Sequence, residues 1–142
     1  MVSPKYAADR LRQQVEIRAN GLCEYCQSPK KYCTVSFHCD HIHPKKEGGK
    51  TELTNLAFAC PSCNNHKAAK MHAPDPSTGE SVPIFNPRQQ NWHRHFQWNN
   101  DFLYIEGKTP MGRATVKALN MNKNEQIELR KLLKMAGKHP PT

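Results

Sequence analysis

Apolar residues along this chain come in short bursts separated by charged and turn-forming stretches, and the bursts change period as they go. In SPKYAADRLRQQVEIRANG, Leu11 and Val15 recur at helical spacing, Ser3 and Pro4 stand at cap and first-turn positions, and Gly21 marks a stop. This predicts a helix that hands the chain to Cys23. The segment YCTVSFHCDHI is rich in β-branched and aromatic residues and predicts a strand ending near Asp40-His41. HPKKEGGKTELTN follows as a loop, punctuated by Pro44 and by Gly48-Gly49. LAFAC predicts a second short strand, after which Pro61 leads into a helix over SCNNHKAAKMH. Strand, loop, strand and helix in that order make a small ββα unit.

Beyond residue 72 the texture changes. APDPSTGESVPIFNPR is turn-rich, and HFQWNNDFLYIEG predicts a β-hairpin around Asn99-Asn100-Asp101. TPMGRATVKAL opens with Thr109 as cap and Pro110 at the first helical position. A last helix is expected from Asn122, with Glu125 three residues on in the manner of a capping box. Its apolar stripe would be Leu129, Leu132, Leu133 and Ala136, stopped by Gly137 and Pro140. The expected fold class is α+β: one domain over residues 1–142, with a core at about 20–70 and a β-hairpin and helical extension over 71–142.

Composition narrows the function classes. No apolar run approaches the ~20 residues of a membrane span, and the N-terminus is charged from Lys5 onward without a signal-like apolar stretch. A cytoplasmic protein with no membrane partner is expected. Twenty-one Lys and Arg against twelve Asp and Glu give +9, which points to a polyanionic partner. The surplus is spread evenly, +5 over residues 1–70 and +4 over 71–142, so it belongs to the whole body and not to a basic tail.

Six cysteines in such a chain fit disulfides poorly, because the cytosol keeps thiols reduced. Cys23-x2-Cys26 and Cys60-x2-Cys63 are two knuckles of metal-ligand spacing, and four thiolates so arranged favour a structural, tetrahedral Zn²⁺. The gap between the pairs exceeds that of a simple zinc ribbon, so a folded insert must lie within it. Cys33 and Cys39 are expected as small buried side chains, with an alternative zinc register through them as the competing reading.

The string CEYC…DHI.P…GG…NL…C..CN..K, over roughly residues 20–70, resembles the HNH (ββα-metal) endonucleases, several of its elements occurring in order at compatible spacings. The segments DPSTGESVPIFNPRQQNWHRHFQW and GRATVKALNMN resemble the downstream part of one bacterial branch of that family. The resemblance implies a ββα active centre stapled by Zn(Cys)₄ and hydrolysis of phosphodiester bonds, with DNA as the substrate and RNA as its alternative. By position it makes Asp40 a ligand of a catalytic divalent cation, Mg²⁺ or Mn²⁺, and His41 the general base. Asn55 takes the central motif position, tying the loop and orienting the histidine ring, and Asn64 takes the third, as a neutral oxygen ligand of the cation. The chain is thus an H-N-N variant.

Other residues compete for these roles. His66, two past Asn64, is the rival ligand. His43 is expected on the same strand face as His41, toward phosphate or solvent. Lys45, Lys46, Lys50 and Lys67 are candidate phosphate contacts, as are Arg88, Arg94 and Arg113. His93 and His95, interleaved with Trp92 and Phe96, suggest a packed turn with one exposed edge and not a second metal site. The rival functional readings are a zinc-stabilised nucleic-acid-binding module without catalysis and a secreted nuclease toxin domain. The first needs none of Asp40, His41, Asn55 and Asn64, and a start at Met1 weighs against the second.

Overall fold

The computed structural model describes residues 4–141; Ser3, the expected cap of the first helix, lies outside them. Helix α1 (Pro4–Arg18) buries Val15 completely and Leu11 in part. It ends where Asn20 and Gly21 take left-handed φ values of 55° and 70°, a reversal glycine makes without strain. Leu22 then bridges Pro29, closing the loop that carries Cys23 and Cys26.

Strands β1 (His38–His41) and β2 (Leu56–Ala59) pair antiparallel, with Asp40 opposite Ala57 and His41 opposite Leu56. The strand expected over residues 32–42 is therefore short. Its first half is a 3-10 turn (Lys30–Tyr32) followed by irregular chain, and Val35 is left exposed. β2 offers only four residues before Cys60 turns away, so residues 32–37 find no ladder to join. All four residues of β2 are buried, since α1 covers one side and the Cys60 helix the other.

Helix α2 (Pro61–Lys67) starts with Cys60 as cap, its Sγ accepting from Cys63 N–H, and with Pro61 in the first turn. It stops at Ala68, at φ 48°, short of the expected His72. His72 instead belongs to β3 (His72–Pro74), which pairs with β4 (Ser81–Pro83) in a hairpin. Asp75 organises its turn by accepting from Ser77 N–H and by a two-contact ion pair to Arg113 at 2.8 and 3.0 Å.

A short helix α3 (Trp92–His95) runs into the hairpin β5 (Phe96–Trp98) and β6 (Ile105–Gly107), as expected around Asn99. The Asn99 carboxamide oxygen accepts from Leu103 and Tyr104 N–H. Helix α4 (Pro110–Ala118) is capped by Thr109, whose hydroxyl accepts from Gly112 N–H. A Cβ on Gly112 would lie 2.0 Å from the carbonyl oxygen of His95, so only glycine lets α4 press onto the β5–β6 hairpin.

Helix α5 (Asn124–Met135) departs from expectation at both cap and stripe. Lys123 is the cap residue and forms no side-chain cap bond. Asn122 serves β6 instead: its side chain accepts from Ile105 N–H and donates to Ile105 C=O. The buried positions are Gln126, Ile127, Arg130 and Leu133, while Leu132 and Ala136 are exposed. Gln126 and Arg130 turn inward because acceptors and donors wait there. Ser28 Oγ lies 2.8 Å from Gln126 Oε1, and Arg130 donates to the carbonyls of Leu103 and Met121.

The extension is knitted to the ββα unit by polar as well as apolar contacts. Trp92 Nε1 donates to Tyr25 C=O at 2.8 Å, and Arg88 pairs with Glu24 and donates to Leu56 C=O. Phe85, Trp92 and Phe96 pack ring to ring at 5.1–5.2 Å between centroids.

The Asp75–Arg113 pair ties the β3–β4 turn to α4, and Asp75 is wholly buried in accessible surface. Arg113 and the Ser77 N–H hold its carboxyl down to about 2, so the pair is intact at neutral pH and is lost only as pH falls from the ordinary carboxylate range toward that value. Asp75→Asn should lower the melting temperature at pH 7 by several degrees, read by circular dichroism. An unchanged melting temperature would mean the pair is idle.

Candidate functional site

The four knuckle cysteines converge. Their Sγ atoms all lie within 4.8 Å of one another and all four residues are buried. The Cys26–Cys60 separation of 3.7 Å is close to the edge of a tetrahedron with ~2.3 Å Zn–S bonds, roughly 3.8 Å. Two knuckle amides point at sulfur, Cys26 N–H at Cys23 Sγ and Cys63 N–H at Cys60 Sγ. This donor set suits zinc. Cys33 and Cys39 lie outside the cluster, which removes the alternative register, and both are half-buried where full burial was expected. Cys33 points its thiol at Pro29 C=O instead.

The cluster fixes what lies beside it. Tyr25, between the two cysteines of the first knuckle, is fully buried and donates its hydroxyl to Asp40 Oδ2 at 2.8 Å. From the other side α2 sends Lys67, whose ammonium stands 3.1 Å from Asp40 Oδ2 and also reaches the carbonyls of His41 and Ile42. Both side chains are almost fully buried, at 2% and 5% exposure. Burial raises the Asp40 carboxyl above its ordinary value, opposed by the Lys67 charge and the Tyr25 hydrogen bond. Lys67 is therefore an internal counter-charge, correcting its expected place among the phosphate contacts.

His41, next along β1, faces the opposite way and is half-exposed. Its Nε2 lies 2.8 Å from Thr51 Oγ1. Burial, helped by the charges of Lys45 and Lys67, lowers its pKa against the pull of Asp40, which keeps the ring neutral at pH 7. Asn55 closes the loop between these strands. Its oxygen accepts from His43 N–H, and its amide donates to the carbonyls of His43 and Lys50. Asn55 bonds the loop backbone and not the ring of His41; Thr51 holds that ring, a role no spacing in the sequence signals.

Asp40, His41 and Asn64 line one cavity of about 290 Å³, together with Pro44, Lys45 and Lys46. A neighbouring hollow of about 280 Å³ shares His41 and Asn64 and adds Thr51. Whether Asp40 and Asn64 suit a hard cation is tested by what the carboxylate already holds. Tyr25 and Lys67 make three contacts to it, against about four lone-pair positions. One remains, and a carboxylate with an amide oxygen is the donor chemistry of Mg²⁺ or Mn²⁺. The donors fit.

The remaining candidates separate clearly. His66 is exposed, contacts Ser62 C=O at 2.8 Å and lines neither hollow. His43 sits past the end of β1, its ring 2.8 Å from Glu47 C=O, so it shares no strand face with His41. Lys45, Lys46 and Lys50 are exposed along the loop, and Arg94 is exposed on α3. Arg88 and Arg113 are not free for a ligand's phosphates in the expected manner, since Glu24 and Asp75 engage them. His93 stacks edge-on against Trp92 and His95 contacts Thr109 Oγ1, so that turn is packed. Among the described residues, the four cysteines are the one group of three or more Cys, His, Asp or Glu side chains placed to share a metal.

Comparison with known families adds one finding: residues 23–70 match the model of the HNH endonuclease family. Neither the curated proteins nor the solved structures contain a significant match to the chain. The match begins at the first knuckle cysteine and ends three residues past Lys67, so it encloses the cysteine cluster, Asp40, His41, Asn55 and Asn64. Residues 23–70 of this chain are an HNH endonuclease domain built around a buried four-cysteine cluster.

Proposed function

We propose that the protein is a metal-dependent endonuclease that hydrolyses phosphodiester bonds in DNA, with His41 as general base and Asp40 and Asn64 holding a divalent cation. One observation carries this reading: Asp40, His41 and Asn64 line a single cavity rimmed by Lys45 and Lys46. A module that only bound nucleic acid would need the lysines and none of the other three.

Each residue has a separable task. In the tautomer that donates Nε2–H to Thr51 Oγ1, the neutral His41 ring has its lone pair on Nδ1, which is then the atom that takes the proton of the attacking water. Thr51 and the Asn55-tied loop are positioning groups, since neither touches the reacting atoms. Lys45, Lys46 and Lys50, all exposed, meet the phosphates flanking the cleaved bond. A bound cation supplies charge neutralisation at the phosphate and at the departing oxygen. The cysteine cluster holds Zn²⁺ and is structural, being fully buried away from the cavity.

His41→Ala should cut cleavage of plasmid DNA by roughly 10²-fold or more while leaving affinity and fold intact. Asp40→Asn and Asn64→Ala should also abolish cleavage, with partial rescue by excess Mn²⁺ that His41→Ala does not share. Asn is chosen at position 40 because its side-chain oxygen still accepts from the Lys67 ammonium, whereas Asp40→Ala removes that acceptor too. Either change takes the carboxylate charge from a buried ammonium and costs stability, so the melting temperature is measured beside activity. Should His66→Ala be inactive while Asn64→Ala stays active, the ligand lies two residues further along α2.

Salt gives an independent check. Because a surplus of +9 implies counterion release on binding, log affinity for DNA should fall steeply and linearly with log salt. A flat plot would assign the charge to something other than a polyanion.

For the metal, purified protein should carry one zinc per chain by elemental analysis, and Cys23→Ser or Cys60→Ser should give a sharply lowered melting temperature or insoluble protein. Well-folded protein without zinc would sink the structural-zinc assignment.

A further inference from the structure

Between the HNH domain and its extension lies a second cleft, of about 700 Å³, that shares no lining residue with the cavity at Asp40. Its volume falls within the roughly 300–1,000 Å³ of small-ligand sites. One wall comes from α1 and the HNH domain, with Arg18, His43 and Lys70, and the other from the chain beyond it, with Met71, Ile84, Phe85, Asn86 and residues 88–90.

Three features of the lining point to one kind of ligand. The first is charge. Arg18, Lys70 and Arg88 line the cleft and no Asp or Glu does. Arg18 and Arg88 converge on the same carbonyl, that of Leu56, and Glu24, the carboxylate that answers Arg88, is not part of the lining. Glu24 neutralises one of the two guanidiniums, that of Arg88, so the cleft's positive charge without an ion-pair partner among the described residues comes from Arg18 and Lys70. The second is an apolar floor, made by the buried Ile84 and Phe85 with Met71 and Met111 beside them. The third is a row of amides. Asn86 and Gln90 use their carboxamide oxygens on backbone N–H groups, of Arg88 and Asn86 respectively. Their NH₂ groups, and the exposed Gln89, have no partner among the described residues and are available to acceptors such as base carbonyls and ring nitrogens.

Cations, an apolar floor and amide donors together match a nucleotide: phosphate, base face and base edge. A paired base hides its edge and its face within the stack, so the ligand must be unpaired. We propose that this cleft binds one unpaired nucleotide of the DNA strand, its phosphate toward Arg18 and Lys70 and its base on the Met71–Ile84–Met111 floor. Lys67 links the two sites, lining this cleft while its ammonium contacts Asp40 of the smaller cavity. The bound nucleotide would therefore neighbour the cleavage point and favour single-stranded or distorted substrate. The choice of DNA rests on the nuclease reading above; the shape and chemistry of the cleft do not.

The test uses the zinc-loaded full chain in buffer free of Mg²⁺ and Mn²⁺, so that no cleavage is required. A single-stranded oligonucleotide carrying 5-iododeoxyuridine is irradiated with the protein and the cross-linked peptide is identified by mass spectrometry, beside the same oligonucleotide as a duplex. Cross-links to Met71, His72 or Phe85, several-fold stronger from the single strand, are expected. A mononucleotide should suppress them, and the same concentration of inorganic phosphate should not. Lys70→Ala with Gln89→Ala should weaken single-strand binding about five- to tenfold by fluorescence anisotropy, roughly one phosphate contact plus one base contact. Both side chains are exposed, and if the double variant melts early, Gln89→Ala alone is measured. Cross-links confined to the Lys45–Lys50 loop, equal yield from duplex, or competition by phosphate as effective as by mononucleotide would each overturn the proposal. An inactive protein that still cross-links in the cleft defeats only the nuclease reading, and an active one that cross-links elsewhere defeats only this one.

Discussion

The meeting of Cys23 and Cys26 with Cys60 and Cys63 is the constraint from which the site follows. Cys60 ends β2 and caps α2 in the same residue, so fixing its sulfur fixes where the strand stops and where the helix starts. The first knuckle then lies across β2: Glu24 N–H donates to Phe58 C=O, and the Glu24 carboxylate accepts from Phe58 N–H. Tyr25 is pressed beneath β1 with its hydroxyl on Asp40. A domain this small has little apolar area to devote to such precision, and metal-ligand bonds at these four sulfurs would supply closure energy that packing alone does not.

On that frame the buried Asp40–Lys67 pair joins β1 to α2, the two elements that carry Asp40, His41 and Asn64. Two desolvated charges rarely add net stability against an apolar alternative. This pair also receives Tyr25 and spends the remaining ammonium contacts on two β1-end carbonyls, so nothing buried in it is left without a partner. It holds α2 against β1 and leaves Asp40, a lining residue of the cavity, with one of its about four lone-pair positions unused.

The extension is best understood through where it places its charges. Arg88 is turned into the HNH domain by Glu24, Arg113 is turned into the extension by Asp75, and Arg130 is spent on two backbone carbonyls. Positive charge that composition assigns to the surface is thus partly structural. Lys45, Lys46 and Lys50 stay exposed on the loop after β1, and the extension's own contribution is to close a basic, amide-lined cleft against α1 and α2. Without residues 83–90 and Met111, the apolar floor of that cleft would not exist.

Covalent and near-neighbour chemistry was legible in the chain itself. CxxC spacing, the Asp40-His41 step, Pro61 and Thr109-Pro110 act over a few residues, and the knuckles, strand pair and capped helices appear where those signals stand. Tertiary structure decided whatever depended on a partner far along the chain. Residues 32–37 lost their strand for want of a partner as long as they are, and α2 stopped at Ala68 because His72 was claimed by β4. Asn122 left its capping box for the backbone of Ile105. In α5 the inward face went to Gln126 and Arg130, whose partners lie elsewhere in the fold, while Leu132 was left in solvent. The same holds in the site. Asp40, His41 and Asn64 could be named from the motif, but Tyr25, Thr51 and the inward turn of Lys67 could not. A hydrogen bond or ion pair between residues 10, 15 or 27 positions apart leaves no period in a sequence and exists only once the chain has closed on itself.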